Sequence, residues 1–287
     1  MFWVREGVTR EICQYLNSGF PAVVRRGDHT VVIVGYLRNA DFTEFPPDES
    51  ESSVRAFVVA DDQRGPFDFL NVHDLVREVM AGDAAVFIPL PPGLWVSGSA
   101  AEERGGLHFY EALGNLVADA LSEEEKTETE TVSIDQEHLD SLQESLAACQ
   151  ASDGSSDVSV RSYAITSSDF KRGFQSLYGD LDPKAAQIVR MAAMPKFVWV
   201  VEVMRRSLRV DGKPSVIGLV VLDATDVDER DQKVSLVRLP GLIRLETGGW
   251  QVTDSTEAIA SGRYHATKPW HSDPVAVTAR AKYATGR

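Results

Sequence analysis

The chain predicts an α+β protein in which an antiparallel sheet with packed helices is followed by a second small α+β unit. Three observations carry that expectation. Short apolar runs bounded by turn residues recur in both halves, such as VVIV at 31–34 and VVAD at 58–61, PSVIGLVVLD at 214–223 and FVWVVEV at 197–203. Two of the turns, Arg26-Gly27-Asp28 and Asp211-Gly212-Lys213, are hairpin signals that join strands antiparallel. Between the halves lies the acidic, small-polar stretch 122–157, containing SEEEKTETE and ASDGSSD, which reads as a linker.

Each element follows in order. TREICQYLNSGF starting at Thr9 is a short helix, with Thr9 as N-cap, Ile12 and Leu16 on one face and Gly19 at the C′ position. Strands at 22–25 and 29–36 follow, and the unbroken VVIV of the second is expected to be central and buried on both faces. Residues 37–53, polar and acidic with Pro46-Pro47, form an exposed loop before a strand ending at Ala60 and a sharp turn over 61–66. A helix over 72–81, a strand AAVFIPL, and a helix over 100–121 whose first turns Gly105-Gly106 weaken complete a first unit of residues 1–121. The linker 122–157 carries one helix over 135–149. The second unit, 158–248, opens with strand SVRSYAI, then a Ser167-Ser168 cap into a helix through Tyr178, and a helix opened by Pro183. Two long strands flanking Asp211-Gly212 follow, and 249–287 is a weakly periodic tail.

Composition narrows the function classes. A length of 287 residues with 43% hydrophobic and 25% charged residues is that of a globular chain with a sizeable core. No apolar run approaches the roughly 18 residues that span a bilayer, and Arg5 and Glu6 interrupt any export signal, so a cytoplasmic location without membrane partners is expected. The net charge of −14 opposes phosphate backbones and argues against nucleic acid as a partner. The two cysteines, Cys13 and Cys149, make no disulfide framework and have no metal-ligand spacing.

The chemistry-bearing segment is GDHTVVIVGY at 27–36 followed by FVVADDQRGPF at 57–67. A thiol nucleophile needs an imidazole to take its proton, and the imidazole needs a carboxylate or amide to fix its tautomer. If the two strands pair antiparallel, the start of the first meets the end of the second, which brings His29 and Asp61 to one sheet edge. Asp61 directly follows Ala60 and lies four before Gly65; Asp62 is the alternative orienter. The structural alternative is that His29 caps a strand and Asp61-Asp62 make an ordinary Asx turn.

His29 opening an apolar strand that ends at Gly35, then a second strand ending at Asp61 before Gly65, preceded by LNSGFPAVV, resembles the papain-like cysteine peptidases, and especially the bacteriocin-processing type. The resemblance covers about residues 9–90. It implies a partial papain-like fold, the C-terminal half, with His29 as general base and Asp61 as orienter. The family's nucleophilic Cys lies far upstream of the His at the start of a long helix. Here Cys13 falls inside a predicted helix beside Ile12 and packs as a small hydrophobe, and Cys149 follows the His at the end of the linker. Two expectations follow: a longer natural protein supplies the Cys, or the chain is a non-catalytic relative. The order of a peptidase-like domain followed by an α/β domain also resembles that of bacterial proteins.

Other segments carry less. Asp226-Val227-Asp228-Glu229-Arg230-Asp231 lacks the central Gly and terminal Glu of a calcium loop and reads as a solvated turn. His265 and His271 lack a helical register for a metal, and Trp199, Val201 and Val203 alternate as strand core. The serines of WVSGSA lack a nucleophile elbow. No cofactor and no metal are expected. A half papain-like fold leaves apolar sheet surface uncovered, so a protein or peptide partner, or self-association, is expected.

Overall fold

The computed structural model describes residues 7–38, 54–121, 136–149, 157–210, 213–226, 233–254 and 259–260. It is α+β, with six helices and two antiparallel sheets among these residues. The chain divides into two compact units at Pro92/Gly93.

In the first unit, α1 (Val8–Asn17) precedes β1 (Ala22–Arg26), β2 (His29–Arg38), β3 (Val54–Asp61), β4 (Gly65–Asn71), α2 (Val72–Ala81) and β5 (Ala84–Phe87). Thr9 is not the cap of α1. The helix starts one residue before it, behind Gly7, and Thr9 is buried inside the first turn. Gly19 does end the helix: at φ 80° it lets its own amide reach Leu16 O and the Phe20 amide reach Tyr15 O, a left-handed turn that a side chain would strain. The sheet runs β4-β3-β2-β1-β5 with every pair antiparallel. β2 is central, as its apolar run implies. Its burial nonetheless alternates, with Val31 and Ile33 buried, Val32 half-buried and Val34 exposed. An unbroken apolar run is therefore compatible with one well-buried face, because β-branched residues also suit the exposed side of a pleated strand. β4 is absent from the sequence reading. Pro66 hides it, yet β4 is an edge strand, where a missing amide costs no ladder bond. Asn71 then caps α2 by accepting the Asp74 amide, and Arg26 of β1 grips Glu78 of α2 through Nε (2.6 Å to Oε2) and Nη2.

The second unit contains α3 (Gly98–Leu121), α4 (Gln136–Cys149), β6 (Val158–Thr166), α5 (Ser167–Tyr178), α6 (Pro183–Met191), β7 (Phe197–Val210), β8 (Lys213–Asp223), β9 (Val234–Leu239), β10 (Leu242–Leu245), β11 (Trp250–Val252) and β12 (Ile259–Ala260). Its sheet runs β11-β10-β9-β8-β7-β6, with β12 pairing the start of β8. The long apolar strands β7 and β8 are central and covered on both faces. Val198, Val200 and Val221 meet Phe170, Phe174 and Val189 of α5 and α6, while Val201 meets α3 on the other side.

The sequence assigned 100–121 to the first unit; the structure assigns it to the second. A Cβ on Gly105 would stand 2.5 Å from Val201, and one on Gly218 of β8 would stand 1.9 Å from Phe109 of α3. These glycines set a close approach of helix to sheet, so Gly105 belongs to packing rather than to a weak helix start. Trp199 donates Nε1 to Val96 O (3.0 Å, buried), and the Trp95 amide donates to Ala224 O, which draws 93–97 into the same unit. The cap of α5 is Thr166, whose Oγ1 accepts the Asp169 amide, rather than the Ser167-Ser168 pair. The segment after Gly249 contributes β11 and β12 to the sheet. The Asp211-Gly212 turn lies outside the described residues, but the flanking strands pair antiparallel as a hairpin requires.

Candidate functional site

β2 and β3 pair with Val32 opposite Ala60, and carrying that register one step further sets Asp61 beside Val31, on the face that His29 shares two residues along. Diagonal cross-strand neighbours on one face are within reach of a His and an Asp side chain. The structure closes that reach: His29 Nε2 lies 3.1 Å from Asp61 Oδ1. The His29 side chain is 28% exposed and that of Asp61 only 7%.

Asp61 is held before it meets the imidazole. Its Oδ1 accepts the backbone amides of Gln63 (2.8 Å) and Arg64 (3.3 Å), an Asx turn that starts the β3–β4 connection. The Gln63 amide is the main cause that holds the Asp61 carboxyl below its ordinary range, with the His29 hydrogen bond and charge adding to it and burial opposing. Because Oδ1 can only accept, Nε2 donates, and in the neutral imidazole Nδ1 is then the bare, basic nitrogen. Asp62 stands differently. Its Oδ1 is 4.0 Å from Nδ1, beyond hydrogen-bond distance, and its side chain is 84% exposed. Asp61 therefore lies within hydrogen-bond distance of the imidazole and Asp62 does not. The carboxylate that makes the Asx turn is also the one that meets the imidazole.

His29, Asp61 and Asp62 each offer a ligand atom, all within 4.8 Å of one another. Asp61 Oδ1 already serves three donors, the His29 ring and the Gln63 and Arg64 amides.

Both cysteines are free thiols withdrawn from full exposure, Cys13 buried and Cys149 half-buried. Cys13 is fully buried in α1. Cys149 ends α4 beside Tyr110, where burial pushes its thiol up to about 11, although the Tyr110 hydrogen bond works against the rise. Such a thiol is almost wholly protonated at neutral pH, the opposite of an activated one. His265, His271 and most of the 226–231 run lie outside the described residues.

Sequence reading passed over a group of charged residues inside the second unit. Glu202, Arg238 and Asp182 are buried almost completely, and Arg161 pairs with Glu202 at 3.3 Å. The signal was present as single charges in apolar strands, WVVEVM and SLVRL. Comparison of the chain with family models, with curated proteins and with solved structures finds no match in any of the three.

Proposed function

We propose that the first unit is cysteine peptidase-like and carries the base-and-orienter half of a catalytic site, His29 and Asp61, without a competent thiol among its described residues. The observation that supports it is the 3.1 Å contact from Nε2 to a carboxylate already fixed by two amides, which leaves Nδ1 as the proton acceptor. In the catalytic version of this reading, a Cys from residues outside this chain delivers its proton to Nδ1 and attacks a peptide carbonyl, and the imidazolium returns the proton to the leaving amine. The buried Cys13 and the protonated Cys149 favour a second reading, in which the chain binds a protein or peptide without cleaving it.

The reading frame upstream of Met1 separates the two. An in-frame Cys that opens a helix, in a longer protein whose peptide hydrolysis is lost on His29→Ala, is the result expected of the catalytic version. A stop codon directly upstream would contradict it and leave the interaction module. Self-association, or capture of a partner by the sheet of the first unit, belongs to either version; a chain that sediments as a monomer at all accessible concentrations would exclude self-association.

A further inference from the structure

The His29 imidazole has two nitrogens, and the fold uses one. Nε2 donates to Asp61 Oδ1 at 3.1 Å, and the same oxygen accepts the Gln63 and Arg64 amides, so the ring is held from one side. The Nδ1 lone pair lies on the other edge of a ring that is part-exposed and open to an ion from solution.

A second donor faces Nδ1. Asp62 Oδ1 stands 4.0 Å away, and this carboxylate has no other polar partner among the described residues. The gap is too long for a hydrogen bond, but it is near the spacing of two atoms that ligate one metal ion. With metal–nitrogen and metal–oxygen bonds of about 2.0–2.2 Å, two ligand atoms on a tetrahedral ion lie about 3.4 Å apart. Rotation of the Asp62 side chain, which is 84% exposed, closes the difference. The nearby guanidiniums are engaged elsewhere. Arg26 grips Glu78 and Arg64 reaches Asp68 at 3.3 Å, so neither neutralises Asp62.

Asp61 supplies the remaining feature. A metal-bound imidazole almost always passes its other N–H to a carboxylate, which fixes the tautomer and makes the ligating nitrogen more basic. Asp61 does this for His29 before any ion arrives. Donor chemistry then selects the ion: imidazole with carboxylate suits zinc and the later first-row metals, whereas magnesium and calcium favour oxygen donors.

We propose that His29 Nδ1 and Asp62 Oδ1 form a binding site for a zinc-class divalent cation, with Asp61 as a positioning residue behind the imidazole and water in the remaining coordination positions. The proposal rests on the reading of His29 as an oriented base and adds its regulation. An ion on Nδ1 occupies the lone pair that would accept a proton, so zinc blocks the base.

The test adds zinc chloride to the full-length chain, freed of metal with a chelator and dialysed into chelator-free buffer at neutral pH. Long-range proton–nitrogen spectra follow the two His29 ring nitrogens. Zinc is expected to shift Nδ1 saturably while Nε2 stays protonated, and about a tenfold excess of magnesium does not reverse the shift. Asp62→Ala, at an exposed position, needs at least about tenfold more zinc for the same change, and so does Asp61→Ala. The proposal is overturned by a His29 ring that zinc leaves unmoved, as when only other histidines bind it, or by a metal shift at Nε2 in place of Nδ1. Zinc dependence in Asp62→Ala equal to that of the wild type also overturns it. The oriented-base reading is judged separately on the metal-free spectrum, where a ring protonated at Nδ1 contradicts it whatever zinc does.

Discussion

At the residue scale, one edge of the His29 imidazole is held by a single carboxylate oxygen. Asp61 Oδ1 is fixed by the Gln63 and Arg64 amides, so it meets His29 as a pre-placed acceptor rather than as a mobile carboxylate. A long-range proton–nitrogen spectrum of the wild type is expected to show His29 protonated at Nε2 and bare at Nδ1. Asp61→Ala should return the ring to a mixture of tautomers, whereas Asp62→Ala leaves it unchanged. Asp61 also makes stability depend on pH. Its folded pKa is lowered, so its contribution is present above the unfolded value near ~3.9 and is lost as pH falls through the lower folded value. Urea midpoints of wild type and Asp61→Asn should accordingly differ at pH 7 and converge below about pH 4. The placement of His29 and Asp61 at one sheet edge was readable because both flank apolar strands. The burial of Arg238 was not, because a single charge in SLVRL looks like the exposed half of an alternating strand until both faces are known to be covered.

At the scale of elements, the second unit depends on two glycines where α3 lies against the sheet. Gly218→Ala would push a methyl group into Phe109, and overpacking of this kind costs about 1–3 kcal/mol. Thermal unfolding should show a lower Tm for Gly218→Ala, and Phe109→Leu in the same chain should recover part of it by vacating the ring position. A loss that Phe109→Leu only deepens would show that the close approach is not what Gly218 provides. Helix ends marked by Gly or Pro were readable in the sequence, as with Gly19 after α1 and Pro183 opening α6, whereas the caps expected at Thr9 and Ser167-Ser168 were not. Edge and short strands were not. β4 contains Pro66 and β11 is three residues long, and neither has a periodicity that separates it from a loop.

At the scale of the whole molecule, the boundary between units falls at Pro92/Gly93 because the next segment, through Trp95, Val96 and Gly105, is committed to the second sheet. The composition of 122–157 draws the eye to a boundary there, but composition does not say which sheet the preceding helix covers. A fragment beginning at Gly93 is expected to unfold cooperatively, whereas one beginning at Asp157 lacks α3 and should expose the Val201 face and aggregate; cooperative folding of the shorter fragment would move the boundary back. No helix among the described residues is long and apolar enough to cross a membrane. The central claim, an oriented base without a competent thiol, is tested most directly by the rate at which each cysteine of the full chain is alkylated by iodoacetamide at neutral pH, in wild type and in His29→Ala. Slow alkylation of both Cys13 and Cys149, unchanged by His29→Ala, is the result this account predicts. Fast alkylation of either, slowed about tenfold or more by His29→Ala, would show a thiolate formed by that imidazole and contradict it.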